Sequence, residues 1–204
     1  MTTPQPIVHL ITDGACAPNP GTGGWCAIIK SHGGERILTG KQEQTTVNRM
    51  ELTAALRGFQ VLPTPCEVHV LTDSSYLVQG MTRWRYNWKR SGWLTRYGKP
   101  VENQDLWQAL IQAAAPYRVT WNWAPGHQPD TPTDLVRADK MAFKASGVPW
   151  GGIWRRESEK MRAIDAANDA EAAAAGRETM NVRQTATGPE IYDQDARQWR
   201  QFPL

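Results

Sequence analysis

The chain has 204 residues, of which 40% are hydrophobic, 21% charged and 9% aromatic, and its formal net charge is +3. This composition predicts one globular domain with a substantial core, and it excludes a chain that is disordered throughout. The longest apolar runs, Ile7–Ile11 and Trp25–Ile29, are far shorter than the roughly 20 residues that span a bilayer, so we expect no membrane segment and a cytoplasmic location.

The first half of the chain predicts an antiparallel meander followed by a helix. A strand rich in β-branched residues covers Ile7–Asp13 and is stopped by Gly14. Two more strands, Gly24–Lys30 and Arg36–Gln42, are joined by a turn that leaves no room for a crossover helix. From Val47 to Phe59 the apolar residues recur at helical spacing, which predicts a helix of about four turns.

The second half alternates strands with helices. The segment 84–99 has no clean period, and we interpret it as a basic, aromatic excursion. The resulting fold class is α/β, a mixed sheet of five strands with helices on its faces. The predicted elements are a strand at Glu67–Thr72, a helix at Tyr76–Met81, a helix at Val101–Ala115, a strand at Tyr117–Trp123 and a helix at Asp134–Ser146.

The composition changes after Ser146. A Gly- and Pro-containing linker covers Gly147–Gly152, an Ala-rich helix is predicted for Trp154–Gly176, and Arg177–Leu204 is polar with few core-forming residues. We therefore expect a domain at residues 1–146 and an appendage at residues 147–204. This appendage is an extra helix on the domain, an interaction arm or an unstructured tail.

The positive charge is concentrated in one segment. Met81–Lys99 contains six bases and no acid, and it also contains Trp84, Trp88 and Trp93 of the ten tryptophans. The net charge of +3 therefore averages one basic, Trp-rich segment with a chain that is otherwise slightly acidic in residues 1–145.

Carboxylates follow two of the predicted strands. Asp13 follows Ile-Thr and Asp73 follows Leu-Thr, each at the end of a predicted strand. Glu51 lies in the first turns of the helix that precedes the strand Glu67–Thr72. Helix capping and the helix dipole are the ordinary explanations for such residues. Carboxylates brought together repel one another unless a cation is bound, and an oxygen-only set suits Mg²⁺ or Mn²⁺.

The chain resembles bacterial ribonuclease HI over residues 7–145, through several motifs in unbroken order. The resemblance implies the ribonuclease H fold, with an antiparallel meander of three strands and two parallel strands, and endonucleolytic hydrolysis of the RNA strand of RNA–DNA hybrids that leaves 3′-hydroxyl and 5′-phosphate ends. It also implies that Asp13, Glu51 and Asp73 bind two Mg²⁺ ions, with Mn²⁺ as a substitute. The motifs are Thr12-Asp-Gly-Ala-Cys-Ala-Pro-Asn-Pro-Gly-Thr-Gly-Gly24, Thr45-Thr-Val-Asn-Arg-Met-Glu-Leu52, Leu71-Thr-Asp-Ser-Ser-Tyr76, Asn87-Trp-Lys-Arg-Ser-Gly-Trp93 and Asn103-Gln-Asp-Leu-Trp107.

The same resemblance points to a histidine and a fourth carboxylate near the end of the domain. His127 matches the family's loop histidine, which assists proton transfer or product departure. Asp139 is our choice for the fourth carboxylate because Arg137 precedes it as in the family, although the loop is then longer than usual. Asp134 fits the spacing from His127 better and remains the alternative, and Asp130 also follows His127.

The basic segment resembles the family's protrusion that grips the DNA strand. Lys89, Arg90 and Arg85 would neutralise phosphates, and 2′-hydroxyl contacts would select RNA. Val47 and Ser75 stand where the family usually has Asn and Gln, which removes polar reach toward the duplex. The candidate nucleic-acid contacts are Gly14, Ala15, Cys16, Asn19, Asn48, Ser75, Trp84, Arg85, Trp88, Lys89, Arg90 and Trp93.

Two other functions compete with this prediction. A nuclease of related fold, such as a Holliday-junction resolvase or a transposase domain, shares the carboxylates but lacks the basic tryptophan segment. A non-catalytic nucleic-acid-binding module would not need all the expected ligands. We expect a monomer whose partner is an RNA–DNA hybrid duplex.

Overall fold

The structure, a computed structural model, describes residues 6–63, 66–148, 181–185, 188–193 and 198–201, and for the last three ranges it describes the backbone alone. The predicted helix Trp154–Gly176 lies outside the described residues. Residues 149–152 of the predicted linker also lie outside the described residues.

The described strands form one mixed sheet. Their bounds are β1 Ile7–Cys16, β2 Gly21–Ser31, β3 Gly34–Thr45, β4 Glu67–Thr72, β5 Arg118–Trp123, β6 Asn181–Thr185, β7 Gly188–Asp193 and β8 Gln198–Gln201. The order across the sheet is β3-β2-β1-β4-β5-β6-β7-β8. β1, β2 and β3 pair antiparallel, whereas β1, β4 and β5 are parallel. The predicted five-stranded mixed sheet is confirmed.

Three strands extend this sheet beyond the five. β6 joins β5 through one parallel pair, Trp123 with Asn181, and β6, β7 and β8 follow as an antiparallel meander. The sequence pattern predicts only a polar appendage here. Short strands with few apolar residues give a weak alternation signal, and this is why these strands were missed.

Five helices and one π-helical turn are present in the described part of the chain. The helices are α1 Val47–Phe59, α2 Ser75–Gln79, α3 Arg85–Arg90, α4 Gln104–Ala114 and α5 Thr133–Ser146, and the π turn covers Gly80–Trp84 between α2 and α3. No helix in these ranges has the length and apolar character that crossing a bilayer requires. The segment 84–99, which we interpreted as a basic, aromatic excursion without a clean period, is helical over residues 84–90.

The alternation of side chains along β1 divides the core between the two faces of the sheet. Val8 and Leu10 pack with α1 and α4 on one face, where Trp107 is fully buried. Ile11 faces the other way and packs with Leu135 and other apolar residues of α5. Because α1 and α5 cover opposite faces, the end of β1 lies between them.

Candidate active site

Three carboxylates meet where β1 and β4 approach the start of α1. Asp13 lies within β1, Glu51 on the second turn of α1, and Asp73 directly after β4. One oxygen of each carboxylate lies within 4.8 Å of the others. Asp13 and Glu51 are each only 4% exposed. The structure therefore brings together the three acids that the sequence analysis expected to cluster.

Gly14 explains how a helix carboxylate reaches the strand. A Cβ atom at Gly14 would lie 2.4 Å from the backbone nitrogen of Glu51, so α1 packs directly on the backbone of β1 at this point. The Gly14 N–H also donates a hydrogen bond to the Glu51 carboxylate. A side chain at position 14 would separate the two acids.

The electrostatics of this cluster are unfavourable for bare carboxylates. Burial raises the pKa of Asp13 well above its usual range, and repulsion from Asp73 and Glu51 raises it further. Burial also raises the pKa of Glu51, with Asp73 adding to the effect and the Gly14 hydrogen bond opposing it. Asp13 Oδ2 and Glu51 Oε2 are buried without a hydrogen-bond partner. Buried acceptors of this kind need a cation or a proton.

The donor set fits a hard divalent cation. All three side chains offer only carboxylate oxygens, and two of those oxygens lack a partner in the protein. Oxygen ligands without His or Cys suit Mg²⁺, Mn²⁺ or Ca²⁺ rather than a thiophilic metal. A bound cation would satisfy the orphaned oxygens and offset the repulsion between the acids.

Asp139 on α5 joins this cluster, and His127 lies beside it. Burial and repulsion from Asp73 raise the pKa of Asp139 to about 7, and a hydrogen bond that Asp139 accepts from the Asp13 carboxyl opposes this rise. His127 Nε2 lies 4.0 Å from Asp139 Oδ1, and a third of the histidine side chain is exposed. The backbone of His127 is left-handed, with φ of 53°.

The two other acids after His127 lie elsewhere. Lys30 Nζ is 2.6 Å from both carboxylate oxygens of Asp134, and Arg137 Nη1 is 3.2 Å from Oδ1. Asp130 is exposed in the loop before α5. Asp134 therefore belongs to a surface ion-pair network with the β2–β3 turn. The N-cap residue of α5 is Pro132.

Gly126 is a site residue that the sequence analysis missed. A Cβ atom there would lie 2.0 Å from Asp73 Oδ2, so the loop backbone packs directly against this carboxylate. The indole nitrogen of Trp123 donates to the backbone oxygen of Asp73 at 2.8 Å. The sequence signal for it is its place directly before the candidate histidine. Gly126 is needed there because it lacks a side chain, not because of any reactive group.

The basic segment is an aromatic stack with charges on its outside. Trp88 contacts Trp84, Trp93 and Trp107, with ring centroids 5.8, 5.9 and 5.2 Å apart. Trp107 is fully buried and fixes the base of the stack, whereas Lys89 and Arg90 are exposed. The tryptophans thus build a local core. Arg85 is less exposed, and its guanidinium lies over the ring of the next residue, Tyr86.

The remaining candidate contacts lie around the end of β1 and the start of α1. β4 pairs with β1 only as far as Ile11, so Gly14, Ala15 and Cys16 project beyond the parallel ladder. Asn19 is already engaged, since its Oδ1 accepts the backbone N–H of Val47 at 3.3 Å. Asn48 and Ser75 are half-buried near the first turns of α1 and α2.

The matches to known proteins cover the part of the chain that contains this site. The family model for RNase H matches residues 5–147. The Ribonuclease H of Nitrosococcus oceani is 50% identical over 139 residues, which cover 68% of this chain and 93% of that protein. The Ribonuclease H of Novosphingobium aromaticivorans is 45% identical over 139 residues, covering 68% and 96% respectively.

Solved structures share the fold. A crystal structure of a type 1 RNase H with the type 2 active-site motif superposes with a TM-score of 0.64 at 30% identity, covering 72% of this chain and 75% of that one. Another type 1 RNase H, solved in complex with an RNA/DNA hybrid, gives a TM-score of 0.53 at 19% identity and covers 69% of this chain and 96% of that one. The second likeness supports the fold alone.

Proposed function

We propose, because this chain belongs to the RNase H family, that it is an endoribonuclease which hydrolyses the RNA strand of RNA–DNA hybrids and leaves 3′-hydroxyl and 5′-phosphate ends. The observation that carries the proposal is the buried cluster of Asp13, Glu51 and Asp73 at the end of the parallel strands. A buried, mutually repelling set of acids costs stability and is retained where it binds a cation.

We assign the metal ligands to Asp13, Glu51, Asp73 and Asp139, with Mg²⁺ as the cofactor and Mn²⁺ as a substitute. Two such ions would polarise the phosphodiester and stabilise the attacking and leaving oxygens. The protein's own contribution is to hold in one place four carboxylates that come from β1, α1, the end of β4 and α5. Gly14 and Gly126 permit this by leaving no side chain between Asp13, Glu51 and Asp73.

His127 is assigned a proton-transfer role. Its imidazole stands at the exposed rim of the cluster, 4.0 Å from Asp139 Oδ1, where a substrate phosphate would enter. An imidazole takes up and releases protons near neutral pH, which suits it to protonate a departing oxygen or to help product leave. The residue before it, Gly126, packs the loop backbone against Asp73 and so fixes the position of His127 beside the cluster.

The hybrid would lie across the cluster and the basic segment. Lys89, Arg90 and Arg85 would contact phosphates of the DNA strand, with the tryptophan stack beneath them as a rigid support. RNA would be selected through its 2′-hydroxyls by Asn19, Asn48 and the backbone of Gly14–Cys16. With Val47 and Ser75 in place of longer polar side chains, we expect weaker discrimination than in relatives that carry Asn and Gln there.

Cleavage of a panel of substrates tests this function. With Mg²⁺, we expect cleavage of the RNA strand of a hybrid and little or no cleavage of double-stranded RNA or of a four-way DNA junction. Preferred cleavage of the junction would favour the resolvase alternative. Binding of the hybrid without cleavage, in Mg²⁺ or Mn²⁺, would favour a non-catalytic module.

The Lys89→Ala/Arg90→Ala variant tests the phosphate contacts. Both side chains are exposed on α3, the helix that carries Trp88. We expect weaker binding of all hybrid sequences and a salt dependence whose logarithmic slope falls by about 1 to 2, since each phosphate contact contributes roughly 0.9. Binding is measured from low to high salt in an Asp13→Asn background. Arg36→Ala, an exposed base on β3, is the control, and an unchanged slope in the double variant would refute the assignment.

The Gly126→Ala variant tests the close approach of the loop to Asp73. The added methyl group would lie 2.0 Å from Asp73 Oδ2, so the carboxylate or the loop must move. Displacements of about 1 Å at a reacting centre cost up to about a hundredfold in rate, and we expect a loss of that order in kcat. Gly33→Ala is the matched control, because its Cβ would meet only Ser31 Oγ at 3.7 Å. Equal rates for both variants would contradict the role of Gly126.

We also propose that residues 1–146 form the catalytic domain, that residues 147–204 are an extension of it, and that the enzyme is a cytoplasmic monomer. The match of the family model to residues 5–147 supports this division. The start of β6 against β5 supports an extension that continues the sheet.

A further inference from the structure

A pair of histidines lies outside the carboxylate cluster, on adjacent parallel strands. His9 on β1 and His69 on β4 are direct partners in the strand register. His9 precedes Asp13 by four residues, and His69 precedes Asp73 by the same number. Four residues correspond to a distance of about 13 Å along a strand. By the alternation of β1, His9 shares its face of the sheet with Ile11, the face that α5 partly covers.

The two rings have a spacing that suits metal binding. Their centroids are 5.4 Å apart, with an angle of 81° between the planes. Two imidazoles on one tetrahedral Zn²⁺, each with a Zn–N distance of about 2 Å, have ring centroids roughly 5 Å apart. The centroid spacing of the pair therefore matches that of two imidazoles on one zinc ion. His9 is exposed and a quarter of the His69 side chain is accessible, so an ion can enter from solvent.

Neighbouring charges support the pair as ligands. Glu67 Oε1 lies 3.1 Å from His69 Nε2 and fixes that ring, as carboxylates commonly do for metal-binding histidines. Partial burial lowers the pKa of His9, and His69 and Lys30 act in the same direction while Asp134 opposes them. The imidazole is thus kept in the neutral form that binds metals. The Lys30 ammonium lies 2.6 Å from Asp134 Oδ2, and this ion pair offsets the positive charge of Lys30 near His9.

We propose that His9 and His69 form a second metal site, separate from the carboxylate cluster, which binds Zn²⁺ and links β1 to β4. Zinc accepts imidazole nitrogen readily, whereas Mg²⁺ prefers oxygen, so the two sites select different metals. Water would complete the coordination, while the Glu67 carboxylate orients the His69 ring. Zinc at this position would stabilise the two strands that carry Asp13 and Asp73, and this inference does not depend on the proposed nuclease activity.

Calorimetric titration of the full chain with Zn²⁺, in a large excess of Mg²⁺, tests the site. We expect one equivalent to bind, and binding at least about a hundredfold weaker in His9→Gln and in His69→Gln because each loses one of two nitrogen ligands. Glu67→Gln should weaken binding by about tenfold, the size typical for the loss of an orienting partner. His32→Gln, an exposed turn histidine, is the control, and Asp13→Asn and His127→Ala should also retain the binding.

Two further measurements separate loss of binding from loss of folding. Without Zn²⁺ the glutamine variants should unfold at the temperature of the wild type, whereas saturating Zn²⁺ should raise the wild-type Tm by roughly 5 °C. In the wild type, NMR signals from the imidazoles of His9 and His69, but not those of His32, should shift with one equivalent of Zn²⁺. Unchanged binding in His9→Gln and His69→Gln, or its loss in Asp13→Asn, would overturn the proposal.

Discussion

We expect the Asp13→Asn variant to lose hydrolysis of the hybrid by about 10³-fold or more, and to be more stable than the wild type in metal-free buffer. The rate falls because a bound cation supplies several kcal/mol of charge stabilisation, and each 1.36 kcal/mol is a tenfold change. The stability rises because Asp13 is buried against Glu51 and Asp73, and its Oδ2 has no partner. Removing this buried charge should raise the free energy of unfolding by roughly 1–3 kcal/mol.

The opposite signs of these two effects make the test specific. A residue needed only for the fold would lose activity and stability together. Adding Mg²⁺ should raise the Tm of the wild type more than that of Asp13→Asn, so the difference between their Tm values should narrow. Asp130→Asn makes the same chemical change at an exposed loop position and should alter neither rate nor Tm. A metal-free Asp13→Asn protein that unfolds below the wild type would contradict the repulsive cluster.

Much of the fold could be predicted because its strands are marked by β-branched runs and turn residues. The bounds of β1 were missed because Gly14 resembles a strand end. In the structure, Gly14, Ala15 and Cys16 continue the ladder with β2 as far as Gly23. Gly14 is there because α1 packs on the strand, not because the strand stops. A glycine that permits close packing and a glycine that ends a strand cannot be distinguished from sequence alone.

The helical part of the basic segment was missed for a different reason. Gly80–Trp84 forms a π-helical turn between α2 and α3, and the wider turn shifts the positions that face the core. The apolar period of 3.6 residues is therefore interrupted where the tryptophans begin. Gly80 is also the point at which the fully buried Trp107 packs, since a Cβ there would lie 2.0 Å from its ring. This packing is a tertiary contact between α4 and the π turn, which local pattern does not reveal.

The candidate site was predictable to the extent that it follows strand ends. Asp13 and Asp73 end matching motifs on strands that turned out to be parallel neighbours, so their proximity follows from the topology. The position of Glu51, by contrast, depends on how α1 packs against β1. The spacing after His127 did not decide whether Asp134 or Asp139 is the fourth carboxylate. Five residues on a helix correspond to a rotation of about 140° between these two acids, so only one of them can face the strand ends.

Replacing Asp139 and Asp134 in turn should therefore give contrasting results. Alanine is the preferred substitution, because an asparagine would keep an oxygen that can still bind a cation. Asp139 accepts a hydrogen bond from the Asp13 carboxyl, and burial and Asp73 raise the pKa of Asp139 to about 7. We therefore expect Asp139→Ala to lower the cleavage rate at least about tenfold. Asp134 pairs with Lys30 and Arg137, and Asp134→Ala should keep the rate.

The stability of the two variants should differ in the opposite sense. Asp134→Ala removes a partly exposed ion pair and should cost up to about 1 kcal/mol in the free energy of unfolding. Asp139→Ala removes a charge that Asp73 repels, and it should leave the metal-free protein as stable as the wild type or more stable. Cleavage rates with Mg²⁺ and urea unfolding without metal measure both effects. Loss of cleavage in Asp134→Ala with retention in Asp139→Ala would transfer the fourth ligand to Asp134, and α5 would then have to rotate when the metal binds.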